Sequence, residues 1–172
     1  QTDLSYIGVK FTEKKNVRKL QRGGAAMTHK FEIPAGAPDH VVKAQHSVHR
    51  DQMLLEMTPH MHLRGKSFTY KATYPDGTTE TLLDVPNYDF NWQLGYKLKK
   101  PKLLRAGTVI HCTAVFDNSA DNPANPNPNQ SVHWGDQSWE EMMIGFFSTR
   151  DPYDHEIENA LTGGSASERT GD

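Results

Sequence analysis

The 172-residue sequence has little cysteine, no long apolar run and little net charge. Because Cys112 is the only cysteine, no disulfide can close within the chain. The longest apolar run, residues 142–147, is far shorter than the roughly 20 residues that a membrane-spanning helix needs, so we expect no membrane span. The formal net charge of −2 gives no general attraction to nucleic acid, so we expect no nucleic-acid partner.

Helix signals are also scarce, whereas stretches rich in β-branched and aromatic residues recur between Gly, Pro, Asn and Asp. The clearest hairpin turns through Pro75-Asp76-Gly77, because Pro fixes the turn and Gly accepts a positive φ. Many short strands in this length predict an all-β, jelly-roll-like antiparallel β-sandwich. The predicted strands are residues 6–11, 30–33, 40–48, 52–57, 67–74, 79–83, 92–98, 108–116 and 142–149.

The length and the hydrophobic content of 35% suit one buried core. We therefore predict a single domain over residues 1–160, followed by a flexible tail or linker at 161–172. The abrupt start close to a strand-like segment suggests a piece of a longer protein. Residues 117–130 contain three prolines and predict a long surface loop. In the alternating strand 108–116, we expect Cys112 to face the core.

The strongest functional signal is Pro-His-Met-His-Leu-Arg-Gly at residues 59–65. Alternate side chains of a strand project to the same side, so His60 and His62 can offer two imidazoles to one ion. The residues that flank the pair suggest that the strand ends there, at a sheet rim. Cupin-type jelly rolls also use His-x-His but supply a Glu soon afterwards, where this chain has Lys66 and Ser67. The alternative is a pair of surface imidazoles on a strand.

Met142, at the start of the last apolar run, is the candidate for a third donor. A thioether is a good ligand for Cu(I) and a poor one for hard ions, so two His and one Met favour copper over zinc, calcium or magnesium. In a strand Met142 and Met143 would face opposite ways, so only one of them can meet the His pair, and we choose Met142. The alternative is that Met142 fills the core.

Several segments together carry a family resemblance that spans most of residues 6–150. As a set, they resemble the C-terminal domain of the copper type II, ascorbate-dependent monooxygenases, whose animal members include peptidylglycine α-hydroxylating monooxygenase and dopamine β-monooxygenase. The residues of these motifs are more similar to those of bacterial members. The segments are Pro-His-Met-His-Leu-Arg-Gly-Lys at 59–66, Tyr-Pro-Asp-Gly at 74–77, Tyr-Asp-Phe-Asn-Trp-Gln at 88–93, Phe-Asp-Asn-Ser-Ala at 116–120, Trp-Gly at 134–135 and Glu-Met at 141–142.

The resemblance implies a jelly-roll domain that holds one catalytic copper ion through His60, His62 and Met142. At this copper the family binds O₂ and hydroxylates a C–H bond of a small organic substrate. Electrons come from ascorbate or another donor through a second copper, which would lie on a missing domain or partner. We expect His133 and His111 as partners that support the ligating rings, and His133 is preferred because the family has a similar His there. By analogy, the protein is expected to be extracytoplasmic, either periplasmic or secreted.

The chain departs from the family pattern at two substrate-binding positions, and its residues also fit two alternative functions. Peptide-amidating members anchor the carboxylate of their substrate with an Arg and a Tyr, at places where this chain has Thr58 and Phe146. A glycine-extended peptide is therefore not the expected substrate. The residues also fit a non-catalytic copper-binding module for storage, delivery or electron transfer. They also fit an interaction sandwich without metal, in which the loop 117–130 binds a partner.

Overall fold

The computed structural model of the protein describes residues 4–14 and 20–161. The predicted tail, residues 161–172, lies outside the described residues except for Leu161, the last residue of the helix α1. The described elements are, in chain order, β1 (Gln21–Met27), β2 (Glu32–Ile33), β3 (His40–Ser47), β4 (Gln52–His60), β5 (Gly65–Thr73), β6 (Thr79–Val85), β7 (Tyr96–Leu104), β8 (Val109–Phe116), β9 (Val132–His133), β10 (Ile144–Arg150) and α1 (Asp154–Leu161).

Two antiparallel four-stranded sheets form the body of the protein. Sheet I has the order β1-β10-β4-β7, sheet II has the order β3-β8-β5-β6, and β2 pairs with β9 in a separate short ladder. When β2 and β9 are left out, the eight remaining strands can be numbered 1 to 8 in chain order. Sheet I then has the order 1-8-3-6, and sheet II has the order 2-7-4-5. This is the strand order of a jelly roll. The predicted all-β, jelly-roll-like sandwich is therefore confirmed.

The core lies between the two sheets, and the alternation of β8 shows how the sequence builds it. Ile110, Cys112, Ala114 and Phe116 are buried, while the residues between them are half-buried on the outer face. Cys112 is fully buried, so its predicted place in the core is confirmed. Burial also raises the pKa of its thiol far above the ordinary value, which keeps the sulfur uncharged.

The sheets approach most closely where Gly145 of β10 faces Cys112 and Tyr70 of sheet II. A Cβ at Gly145 would overlap the Sγ of Cys112 and would lie 3.0 Å from the Cε1 of Tyr70. Across the same contact, the Tyr70 hydroxyl donates a hydrogen bond to the carbonyl oxygen of Phe146, 3.0 Å away. The absence of a side chain at Gly145 therefore lets β10 sit directly on sheet II.

The predicted hairpin joins β5 to β6 and is confirmed. Gly77 adopts a φ of 84° in the turn. Its amide donates to the carbonyl oxygen of Tyr74 at 2.9 Å, and the Thr78 amide donates to the Asp76 carboxylate at 2.9 Å. These bonds fix the register of the two strands at the tip of the hairpin.

One predicted strand is absent, and some observed elements were not predicted. Residues 6–11 form no strand, and Tyr6, Ile7 and Phe11 have 84%, 90% and 88% of their surface exposed. The strand β1 was not predicted, because its Gly-Gly-Ala-Ala core has a low strand propensity. It forms through pairing with β10 over its whole length. The helix α1 was not predicted either.

Within the described residues, no helix is long and apolar enough to cross a membrane.

Candidate metal centre

The chain reversal after β4 brings the His pair to one end of the sandwich. The strand ends at His60, and the Gly65 amide donates to the carbonyl oxygen of His62 at 3.1 Å as the chain turns into β5. Beside it, β10 begins at Ile144, which is the register partner of His60. The predicted strand end at the His pair is confirmed, and the segment around residues 141–144 lies next to it.

The two histidine rings face one another closely. Their centroids are 5.2 Å apart and their planes make an angle of 82°. Two imidazoles that each bind one ion through a single nitrogen at about 2.0 Å have ring centroids about 5 Å apart. The observed spacing of His60 and His62 therefore fits two ligands of a single ion.

The hydrogen bonds that the structure shows for the two rings involve the same nitrogen of each, Nδ1. The Nδ1 of His60 lies 2.7 Å from the Oε1 of Gln93, and the Nδ1 of His62 lies 3.2 Å from the carbonyl oxygen of Glu140. Because both partners are acceptors, each Nδ1 carries the proton and each Nε2 keeps its lone pair. This tautomer is the one that a metal-binding histidine needs.

The environment of His62 favours the neutral form of its ring. Burial lowers the pKa of His62 below its ordinary value, and the neighbouring His60 acts in the same direction. Hydrogen bonds to the backbone oppose this effect. Since only a neutral imidazole can donate its lone pair to a metal, burial favours metal binding here.

Met142 comes just before β10, on the side where the His pair lies. If the antiparallel register of Ile144 with His60 continued for two more residues, Met142 would be opposite His62. Met142 is half-buried, whereas Met143 is fully buried in the core cluster. Adjacent side chains point to opposite sides of an extended chain. The structure therefore favours Met142 over Met143, and its role as a ligand stays a prediction.

Glu141 holds the turn of the His pair. Its side chain is fully buried; Oε2 accepts a hydrogen bond from the His62 amide at 2.8 Å, and Oε1 accepts one from the Arg64 amide at 2.7 Å. Burial raises the pKa of Glu141 to about 7, although these amides and the charge of Arg64 act to lower it. In the sequence Glu141 stands out only as part of the Glu-Met motif, and no local pattern predicts its structural role.

The segment 88–93 clamps the His pair from the other side. The Tyr88 hydroxyl accepts a hydrogen bond from the Met61 amide at 3.0 Å and donates one to the Met61 carbonyl oxygen at 2.7 Å. A Cβ at Gly65 would lie only 2.7 Å from the Tyr88 ring, so this close packing requires glycine. Phe90 meets the His62 ring edge-on with centroids 6.0 Å apart. The motif therefore fixes the backbone between the two histidines.

Two other histidines were predicted to support the ligating rings. His133 lies exposed in β9, and its carbonyl oxygen accepts a hydrogen bond from the Glu141 amide at 3.2 Å. Its link to the site thus runs through the backbone. His111 lies on the outer face of sheet II, five residues before Phe116, which pairs with Gly65. Five residues of strand span about 16 Å, so the structure does not bring His111 to the pair.

The donor types at this end of the sandwich limit what can bind. Among the described residues, no three side chains drawn from His, Cys, Asp and Glu come together as a metal site. An ion with three protein ligands at His60 and His62 would therefore need a donor of another type. A methionine thioether would meet that need, and such a donor set would favour a soft ion such as Cu(I).

A surface groove of about 570 Å³ runs along the outer face of sheet I beside the His pair. Phe146, which is 43% exposed, forms part of its wall, and the Phe146 ring lies 6.2 Å from the His60 ring between centroids. Thr58 and Glu56 line the groove as well. None of the described residues that line the groove is a Lys, Arg or His, so these residues offer no cation that could anchor a carboxylate. Its lining residues are Gly23, Gly24, Ala25, Glu56, Thr58, Phe146, Phe147 and Ser148.

Comparisons with known proteins add no family. No family model and no curated protein sequence matches the chain. It is similar in structure to a chain of infectious bursal disease virus strain Gt, with 12% identity, a TM-score of 0.31, and coverage of 84% of this chain and 38% of that one. For strain Gx of the same virus the values are 9%, 0.32, 89% and 48%. This chain spans less than half of either viral chain, and the low TM-scores carry no argument about function.

Proposed function

We propose that this chain is the catalytic-copper domain of a copper- and O₂-dependent monooxygenase that hydroxylates a C–H bond of a small organic substrate. The observation that carries the proposal is the geometry of the His pair. The rings of His60 and His62 lie 5.2 Å apart, and each has its Nδ1 hydrogen-bonded to an oxygen acceptor. Met142 is the proposed third ligand. The family resemblance of the sequence motifs supplies the reaction class.

The donors suit the chemistry. Two neutral imidazoles and a thioether favour Cu(I), and a bound copper ion with an open position supplies the reaction with O₂. The protein contributes the fixed positions of the ligands. Tyr88 accepts from the Met61 amide and Glu141 accepts from the His62 amide, so both hold the backbone that carries the two rings. Gln93 and the Glu140 carbonyl oxygen hold the protons on Nδ1.

The groove beside His60 is the proposed substrate site. Phe146 and the small residues of β1 give it apolar walls, while Thr58 and Glu56 provide hydrogen-bonding groups. Its volume of about 570 Å³ is within the range of small-molecule pockets. We infer a neutral or cationic substrate with an apolar body, because the Glu56 carboxylate would repel an anion.

The complete reaction needs parts outside these residues. We propose that ascorbate or another donor supplies electrons through a second copper on a further domain or partner, and that the setting is extracytoplasmic. These statements follow from the family resemblance, and they name what must be added before turnover can be measured.

The first test is an anaerobic Cu(I) titration of the purified chain against a competing chelator. We expect one copper per chain, loss of high-affinity binding in His60→Ala, and unchanged binding in His111→Ala. His111 is the matched control because it is a histidine in a strand on a distant face. Weak or absent binding by the parent chain would refute the copper site and would leave the metal-free interaction sandwich.

A second test separates the oxygenase from a non-catalytic copper module. The copper-loaded chain and a protein that carries the second copper are mixed with ascorbate and O₂ in the presence and absence of candidate apolar amines and alcohols, and O₂ uptake is recorded. Substrate-dependent uptake that disappears in His60→Ala is expected of the oxygenase. Tight copper binding with no substrate-dependent uptake, even when a protein that carries the second copper is supplied, would indicate storage, delivery or electron transfer.

A further inference from the structure

Arg64 is a buried cation whose side chain contacts no carboxylate. Only 2% of its surface is exposed. Its Nε donates to the Oδ1 of Asn118 at 2.8 Å, and its Nη1 donates to the carbonyl oxygen of Trp139 at 2.9 Å. Both acceptors are neutral, and none of the ion pairs among the described residues includes Arg64. The fully buried Glu141 acts on Arg64 through its charge, but its two carboxylate oxygens accept from the His62 and Arg64 amides, and the guanidinium donates to neither.

The guanidinium reaches a surface cavity of about 320 Å³. A guanidinium has five N–H donors, and the two bonds above leave Nη2 without an acceptor among the described residues. Among the described residues, the buried side-chain nitrogen and oxygen atoms without a hydrogen-bond partner are the Oγ1 of Thr108 and the Oγ of Ser148. Because Nη2 is not one of them, it must touch open space, and the cavity is the space that Arg64 lines.

The rest of the cavity lining indicates which anion would fit. Asn127 and Gln130 contribute neutral amide side chains, and Trp139, which is 61% exposed, contributes a flat apolar wall. Glu140 lies at the same cavity, and its negative charge opposes the attraction of Arg64 for any anion, most strongly for multiply charged ones. The planar fork of a guanidinium matches a carboxylate through two parallel hydrogen bonds. One carboxylate with a small apolar body satisfies all of these features.

We propose that the Arg64 cavity binds a small organic monocarboxylate through the remaining N–H groups of the Arg64 guanidinium. The carboxylate of the ligand supplies the acceptor that Nη2 lacks, and its body rests against Trp139. This site is separate from the groove of Phe146 and does not depend on bound copper. It goes beyond the proposed function, and it is tested on the copper-free protein so that the two proposals can fail independently.

The test uses benzoate as the probe and benzamide as its neutral isostere. Binding is followed by the ¹H–¹⁵N signal of the Arg64 Nε and by calorimetry, on the copper-free chain at low ionic strength. Arg64 stays in place because it also holds Asn118, and its replacement could unfold the loop. The variant is Gln130→Glu, which adds a negative charge to the cavity wall. The matched control is Gln45→Glu, which places the same charge on the exposed outer face of sheet II.

The proposal expects saturable binding of benzoate that shifts the Arg64 signal, weakens about tenfold in Gln130→Glu, and stays unchanged in Gln45→Glu. It also expects weaker binding at high salt and no binding of benzamide. Absence of saturable benzoate binding, equal binding of benzamide, or full affinity in Gln130→Glu would overturn it. Inorganic phosphate that binds as tightly as benzoate would make the cavity a general anion site and would overturn the monocarboxylate assignment.

Discussion

Replacement of Gln93 tests how the protein prepares His60 for a metal. The Oε1 of Gln93 accepts the proton of His60 Nδ1 at 2.7 Å, and its own Nε2 donates to the Phe90 carbonyl oxygen at 3.0 Å. The second bond fixes the orientation of the amide, so that its oxygen faces the ring. In Gln93→Ala the His60 ring can rotate and can move its proton to Nε2, the nitrogen that the proposed ion needs.

The magnitude follows from the effect of such outer hydrogen bonds. Loss of an oxygen partner from a metal-binding histidine typically weakens metal affinity by about 10- to 100-fold. We expect Cu(I) affinity to fall within that range in Gln93→Ala, which corresponds to about 1.4–2.8 kcal/mol. Gln93→Glu keeps an oxygen acceptor for Nδ1 and should retain most of the affinity. Because Gln93 lies in an exposed loop, neither change should lower the free energy of unfolding by more than about 1 kcal/mol.

The assay is competition for Cu(I) between each variant and a chromophoric chelator under anaerobic conditions. Gln45→Ala serves as the control, since Gln45 is exposed in β3 on the other sheet. The reasoning is refuted if Gln93→Ala binds Cu(I) within twofold of the parent. It is also refuted if Gln93→Glu loses as much affinity as Gln93→Ala, because the acceptor oxygen would then not be what matters.

Three further predictions concern the core and the turn of the His pair. Gly145→Ala should destabilise the fold by about 1–3 kcal/mol, because the added methyl group overlaps the Cys112 sulfur. In a double-mutant cycle measured by denaturant unfolding, Cys112→Ala should recover part of that loss. Strictly additive losses would contradict the contact. Iodoacetamide at pH 8 should leave Cys112 unmodified until denaturant is added, because the thiol is buried with a raised pKa; rapid labelling of the native chain would contradict its burial. The folded-state pKa of Glu141, about 7, exceeds the unfolded value of about 4.3, so the folded state binds the extra proton. Stability should therefore fall by up to about 4 kcal/mol as pH rises between these values. Chemical denaturation of the metal-free parent against Glu141→Gln from pH 4 to 8 should show that slope in the parent alone, and equal slopes would refute it.

The parts of the fold that sequence reasoning found are those with strong local signals. The β5–β6 hairpin carries its turn residues in order, and β8 alternates apolar and polar residues along its length. The strand β1 was missed because only its pairing with β10 makes it a strand. The segment 6–11 was predicted as a strand because its residues favour extended structure, but no strand of either sheet pairs with it.

The strand β7 shows how a local rule can mislead. The sequence predicted a strand at residues 92–98, whereas β7 spans Tyr96–Leu104 and includes Pro101. Proline removes one ladder donor and is best tolerated at the edge of a sheet, and β7 is an edge strand of sheet I. The edge position depends on the order of strands in the sheet, which the local sequence does not contain.

In the candidate site, too, some residues could be predicted from the local sequence and others could not. His60 and His62 were found from their spacing, because two alternating residues share one side of a strand. The supporting groups come from distant parts of the chain, and no local pattern relates Gln93 or Glu141 to the pair. The buried place of Arg64 depends likewise on Asn118, which lies 54 residues later in the chain. Only the folded structure brings these partners together.

The most direct test of the account is Cu(I) X-ray absorption, with copper counting, on the parent chain, Met142→Ala and Met143→Ala. Met143 is the matched control, because it is the neighbouring methionine and lies fully buried in the core. We expect one copper per chain with two nitrogen neighbours and one sulfur neighbour, and loss of the sulfur in Met142→Ala alone. A chain that binds no stoichiometric copper, or a sulfur signal that survives in Met142→Ala, would contradict the proposed centre.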